Sequence, residues 1–304
     1  MDFNQKFEPQ GNKIIHGAGQ SLETFRNYWN AVGEFKPILY MCYLRINKIS
    51  EKIEVIKKEI KEFPNSMLQI GLNFKVKDGS AKTKEIVKGV YDEEILALID
   101  FTKKFEKPIF LRLGYEFNNP RHKYNPSDFI LAWKHIVNLF RKNNVTNVAF
   151  VWNCCTAFNR DIKDIMKFYP GDKYVDWFSN NLFGTKHFAN NKDEVTENFV
   201  KEAEKHKKPV MIGESSAAKV GVLNGKESWN KWFKPYFEWI HSHPIIKAFC
   251  YINWNWAIDW KQSEWGNCRI EENEEVRKRY VKELCNEKYI HMMNYNDFLK
   301  MAYS

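Results

Sequence analysis

The sequence has no apolar run approaching the roughly 20 residues that a membrane-crossing helix needs, which excludes that class. It has no Gly-x-Ser-x-Gly elbow, and Cys154-Cys155 has no histidine nearby in sequence, so neither a serine nor a thiol nucleophile is supported. Its six cysteines show no CxxC or zinc-like spacing; Cys42, Cys154 and Cys250 lie in apolar, strand-like runs and read as buried thiols. His16-Gly17-Ala18-Gly19-Gln20 holds a GxG without the third glycine of a dinucleotide fingerprint. No linker or composition break interrupts residues 1–304, which are expected to form one domain. The first residues, Met1-Asp2-Phe3-Asn4-Gln5, lack a basic region followed by an apolar one, so either the protein is not exported or its signal has been removed.

What is present is a core-forming composition, with 44% hydrophobic and 28% charged residues, which argues against disorder. The net charge of +9 raises nucleic-acid binding as a rival class. The lysines, however, alternate with glutamates in stretches such as Lys57-Lys58-Glu59-Ile60-Lys61-Glu62, as on solvated helix faces, and no nucleic-acid partner is expected.

Eight short strands are predicted over residues 13–20, 37–45, 66–74, 107–118, 147–154, 175–183, 209–216 and 246–254. Helical patterns separate nearly all of them. Ser21-x-x-Thr24 starts one, Ile53, Ile56 and Ile60 mark the core face of the next, and Asp92-Glu93-Glu94 opens a third at its electropositive end. Asn125-Pro126 supplies an N-cap and a first-turn proline to a fourth. Strand and helix alternating eight times in about 300 residues predict an α/β fold, a single (β/α)8 TIM barrel closed by charged helical sequence from Glu271 to about Lys288.

In such a barrel the C-terminal strand ends line the functional mouth. Here those ends carry His16, Gln20, Arg45, Asn73, Glu116, Asn118, Asn153, Asn181, Glu214 and Trp254. Period-two alternation in Pro108–Asn118 also places Arg112, Gly114 and Glu116 on one face. Two isolated carboxylates, Glu116 and Glu214, stand among amides and aromatic rings. Amides and arginine bind hydroxyls, tryptophan faces stack on sugars, and paired carboxylates cleave acetals. Either glutamate could instead be a structural partner of Arg112 or Lys219. Trp229, Trp232 and Trp239 sit at helical spacing and read as core, whereas Trp254 and Trp256, with Trp260 and Trp265 on the same loop, are expected to form a stacking platform. His241-Ser242-His243 precedes strand eight, at the wrong face for a metal centre, and no metal or cofactor is expected.

Gly89-x-Tyr91-Asp92, then Pro108-Ile109-Phe110-Leu111-Arg112 leading to Glu116-Phe117-Asn118, resembles glycoside hydrolase family 26, the β-mannanase-like family of clan A. Residues 169–177 (Tyr169-Pro170-Gly171-Asp172 onward) and Lys208–Glu214 match two further segments, so the likeness covers more than half the chain. The resemblance implies a retaining, endo-acting hydrolase of a β-linked polysaccharide or oligosaccharide. Glu116 would be the acid/base, kept protonated near neutral pH, and Glu214 the nucleophile beside donors such as Arg112. It also implies a secreted or cell-surface location, with the cytoplasm as the other option; Arg112 and Tyr115 are expected among the substrate-binding residues, and the protein is expected to be a monomer. The chain departs from the family pattern at Tyr115, where histidine is usual; at Asn119-Pro120-Arg121-His122, where glycine and tryptophans usually follow; and at Phe183, in place of a tyrosine. These departures put the glycan in question: mannan-like or, given the basic surface with Arg45, Arg121 and His122, acidic or sulfated. A glycan-binding barrel without turnover is the alternative.

Overall fold

The computed structural model describes residues 2–188 and 194–303. Eight strands form a closed parallel barrel: β1 Ile14–Gly19, β2 Leu39–Arg45, β3 Met67–Asn73, β4 Ile109–Leu113, β5 Val148–Cys154, β6 Trp177–Leu182, β7 Val210–Ser215 and β8 Ile246–Ile252. They hydrogen-bond in sequence order, and β1 pairs with both β8 and β2, which closes the ring. Parallel strands covered by helices are buried on both faces, and nearly every strand residue here is buried. This is the (β/α)8 architecture that the alternation predicts.

The helix starts form where their caps predict. Ser21 and Thr24 make a reciprocal capping box for the helix Leu22–Ala31. Asn125 Oδ1 accepts from the N–H groups of Ser127 and Asp128 at the start of the helix Pro126–Lys142. Trp229, Trp232 and Trp239 are core residues of the helical run 226–242, which is π-helical from Trp229 to Phe233. Cys42, Cys154 and Cys250 are buried free thiols.

Three elements depart from the sequence expectation. After the helix Glu274–Leu284 the chain forms a short strand, β9 Tyr289–Ile290, and a last helix Tyr295–Tyr303. β9 runs parallel to Ile14 and Ile15, below the level at which β2 joins β1 at Gly17. The fourth strand is also shorter than predicted. It ends at Leu113, and the chain then turns through left-handed backbone at Gly114 (φ 52°) and Glu116 (φ 49°). Gly114 is required there on two counts: its φ, and the rings of Phe74 and Phe129, which a Cβ would meet at 2.9 and 2.7 Å. Glu116 is thus presented by a turn, not by continued strand alternation with Arg112.

Candidate active site

Glu116, Glu214, Arg112, Asn153 and Asn181 converge at the C-terminal ends of β4 to β7. Arg112 points into the barrel, fully buried, and its Nη1 lies 2.7 Å from Glu214 Oε1 and 3.3 Å from Asn153 Oδ1. Its guanidinium sits 5.3 Å from the ring centres of both Tyr43 and Tyr115. Glu214 does therefore take Arg112 as an ion-pair partner.

A bulge sets the height of Glu214. Asn180 pairs with Ile212 across β6 and β7, but Asn181 pairs with Glu214, so Gly213 is skipped. The Gly213 carbonyl accepts from Gln69 Nε2 at 2.9 Å. A Cβ on Gly213 would come within 2.6 Å of Ser179 Oγ, 2.8 Å of Asn153 Nδ2 and 3.0 Å of Asn181 Oδ1.

These groups form a chain whose polarity is dictated by obligate donors. Asn153 Oδ1 accepts from Arg112 and from the Glu116 backbone N–H at 3.2 Å. Neither partner can accept, so the Asn153 amide must turn its nitrogen to Ser179 Oγ (2.8 Å) and Asn181 Oδ1 (3.0 Å). Asn181 must in turn present its NH2 to Glu116 Oε1, at 3.0 Å. Asn119 donates to the other oxygen, Oε2, also at 3.0 Å, while its own carbonyl caps the turn at Arg121. The carboxyl of Glu116 is thus fixed at both oxygens. Burial, and next the negative charge of Glu214, push it up to about 7, against the pull of the Asn181 and Asn119 amides and of Arg112.

The remaining candidates divide. Asn73 stays at the mouth, where its Nδ2 donates to the Tyr115 hydroxyl at 3.3 Å and its Oδ1 accepts from Tyr124 and from the Lys75 N–H. Gln20 directly follows β1 and Arg45 ends β2, with Arg45 exposed. His16 is turned away from the mouth. Gly17 faces Cys250 inside the barrel, so period-two alternation sends His16 outward, where it bonds Tyr28 (2.6 Å) and His291 (3.0 Å) and stacks on Phe249. Asn118 is a latch between loops: it donates to the Cys155 carbonyl and accepts from the Cys155 N–H, at 2.8 and 2.9 Å. Trp254 and Trp256 are 7% and 4% exposed, too enclosed to form an open platform. The exposed ring on that loop is Trp260, 61% exposed and stacked on Trp254 with centroids 5.7 Å apart. His241 and His243 diverge, the first to Glu283 and Tyr289, the second to the Trp239 carbonyl.

Three contributors escape a reading of strand ends: Tyr43, Asn119 and Ser179. Tyr43 lies beside Glu214, and burial, then the Glu214 charge, push its hydroxyl far above the ordinary phenol range. The signal for it was alternation, since Tyr43 shares the inward face of β2 with Arg45.

No protein-family model matches the chain. In sequence it is 23% identical over 310 residues to a β-1,3-xylanase, TXYA, from Vibrio sp, covering 91% of this chain and 66% of that protein. It is 24% identical over 266 residues to a β-1,3-xylanase from Alcaligenes sp, covering 79% and 55%. The chain therefore spans about two thirds of the length of one of these relatives and about half of the other. In structure it superposes on a family 26 β-mannanase from Bacteroides ovatus with a TM-score of 0.62 and 14% identity, over 92% of this chain and 88% of that one. The chain is thus similar in sequence to β-1,3-xylanases and shares its barrel fold with a family 26 β-mannanase.

Proposed function

We propose that this chain, 1–304 as one catalytic barrel, is a retaining, endo-acting glycoside hydrolase of a β-linked polysaccharide. Glu214 is the nucleophile and Glu116 the acid/base. The observation that carries the reading is the unequal pair: one carboxylate ion-paired to Arg112, the other held by two amides with its proton retained to about pH 7.

In the first step a Glu214 oxygen bonds to the anomeric carbon as the glycosidic C–O bond breaks, and the leaving oxygen takes the proton of Glu116. Forming the glycosyl ester removes the negative charge of Glu214, one of the two main causes that hold Glu116 protonated. Glu116 then becomes the stronger acid, and its carboxylate is ready to accept a proton from the water that cleaves the ester. Asn181 and Asn119 keep the carboxyl in place through both steps.

The names of the sequence relatives make β-1,3-xylan the first substrate to test, with β-1,4-mannan beside it because of the fold. Reducing-end release by wild type, Glu116→Ala and Glu214→Ala on both polymers is the assay. Wild type is expected to turn over at least one, and both variants to lose more than about 100-fold in kcat. Proton NMR of the first product should show the β anomer. A first-formed α anomer would refute retention, and glycan binding with no reducing ends from wild type would leave a binding barrel without turnover.

A further inference from the structure

Several surface cations of this protein pair with a carboxylate within a turn: Lys48 with Glu51, Lys57 with Glu54, Lys82 with Glu85, Lys167 with Asp164, Lys278 with Glu274. One part of the barrel mouth gathers several cations that have no such partner. Arg45 ends β2 in register with Asn73, which ends β3, and Lys75 lies two residues further on. The Lys75 ammonium reaches the carbonyl of Arg121 at 2.7 Å, in the loop that follows Glu116, and Lys123 is two residues beyond, in left-handed backbone (φ 55°). Among the described residues none of Arg45, Lys75, Arg121 and Lys123 has a carboxylate within ion-pair distance.

This patch adjoins the carboxylates. Lys75 donates its N–H to Asn73, whose amide bonds Tyr115, the neighbour of Glu116. Asn119 joins the Arg121 N–H to Glu116 itself. Like charges gathered on one rim repel. After its burial, Lys123 and Arg45 are what lower the proton affinity of Lys75, and burial, then Lys75, hold the His122 ring down to about 4. Cations gathered on one rim of a cleft create a field that attracts an anionic partner. The other side of the mouth, at β8, is aromatic, with Trp260 exposed over Trp254.

We propose that the rim formed by Arg45, Lys75, Arg121 and Lys123 is a subsite for an anionic substituent, carboxylate or sulfate ester, on a sugar flanking the bond to be cleaved. The inference rests on the glycan reading above and adds to it a class of substrate. The cleft then has two characters: neutral ring faces are met at β8, and negative charge is met at β2 to β4.

The test uses the Glu116→Gln variant of this chain, to prevent turnover, with four probes: neutral β-1,3-xylan, its carboxymethylated derivative, its sulfated derivative, and duplex DNA. Affinity electrophoresis at 20 and 300 mM NaCl reads the dissociation constants. At least one anionic derivative is expected to bind about tenfold tighter than the neutral polymer at low salt, the contribution of two or three exposed ion pairs. That preference should shrink at high salt. Adding Lys75→Gln and Lys123→Gln should cut it about fivefold or more, and the two derivatives tell carboxylate from sulfate. Lys123→Gln alone, at an exposed side chain, carries the test if Lys75→Gln loosens the loop.

Equal affinity for neutral and anionic polymers overturns the proposal, as does a preference that survives both substitutions. DNA bound as tightly as the anionic glycans, with the same loss, overturns it in favour of general polyanion attraction. Binding of the neutral polymer alone removes this inference and keeps the hydrolase reading. Binding of no glycan at all removes both.

Discussion

Glu116 stores free energy that can be measured without any substrate. Its carboxyl is pushed from an ordinary 4.5 up to about 7, so the folded state prefers it neutral. The associated stability is complete below about pH 4.5 and is lost as pH rises through about 7. At 1.36 kcal/mol per pH unit the full interval is worth about 3 kcal/mol, most of which falls between pH 5 and 8. Partial exposure of the side chain to solvent reduces this to about 1–2 kcal/mol. Glu116→Gln keeps the shape and never ionises. Its amide must face one of the two donors, Asn119 or Asn181, with its own NH2, a cost of about 1 kcal/mol at every pH. The variant should therefore be about 1 kcal/mol less stable than wild type at pH 5 and as stable or more so at pH 8. Urea unfolding followed by tryptophan fluorescence at the two pH values gives the difference, and titrating groups that do not interact with Glu116 cancel between the two proteins. A difference that stays flat from pH 5 to 8 would show that the fold does not hold Glu116 neutral, and the acid/base assignment would lose its physical support.

The same group predicts that kcat/KM of the wild type falls on the alkaline side with an apparent pKa near 7, read from initial rates between pH 5 and 9. In Glu214→Gln, carbon-13 NMR of labelled carboxyls should find the Glu116 titration moved to lower pH, since one of its two main causes is gone. Gly213→Ala should cost about 1–3 kcal/mol and lower kcat more than it raises KM, because its methyl would displace the amides that aim Glu116. Ser179→Ala in the same protein should recover part of both, and full additivity would refute the shared crowding. Trp260→Ala should leave the urea midpoint within about 0.5 kcal/mol of wild type and raise KM for long oligosaccharides by about 3- to 10-fold; an unchanged KM would remove Trp260 from the cleft.

The barrel was legible because parallel strands buried on both faces appear as short apolar runs, and because caps at Ser21 and Asn125 mark where helices begin. The two glutamates and the amides at Asn153 and Asn181 were legible for a related reason: strand ends are countable positions. What strand counting cannot deliver is direction. His16 sits one residue off the inward face of β1, and Asn118 is spent on the backbone of Cys155, a partner 37 residues away that no local pattern announces. Trp254 and Trp256 follow a strand end but pack under Trp260 and Trp265, so position alone overstated their exposure. The skipped Gly213 and the left-handed turn at Glu116 are single-residue backbone events, invisible to a period-two pattern, and both aim the carboxylates. β9 has only two residues, too few for any alternation to register.

Ring closure has a consequence for encounters between copies of this chain. An open sheet ends in a row of unpaired N–H and C=O groups that can recruit another chain's strand and start a fibre. Here β1 is occupied on both sides, by β8 and β2, and β9 shields the part of its lower edge that β2 leaves uncovered. The outer side of β9 is only two residues long and abuts the bridge between Pro37 and His291. Among the described residues the barrel thus offers no edge on which a foreign strand could grow, so two concentrated copies would have to meet through side chains.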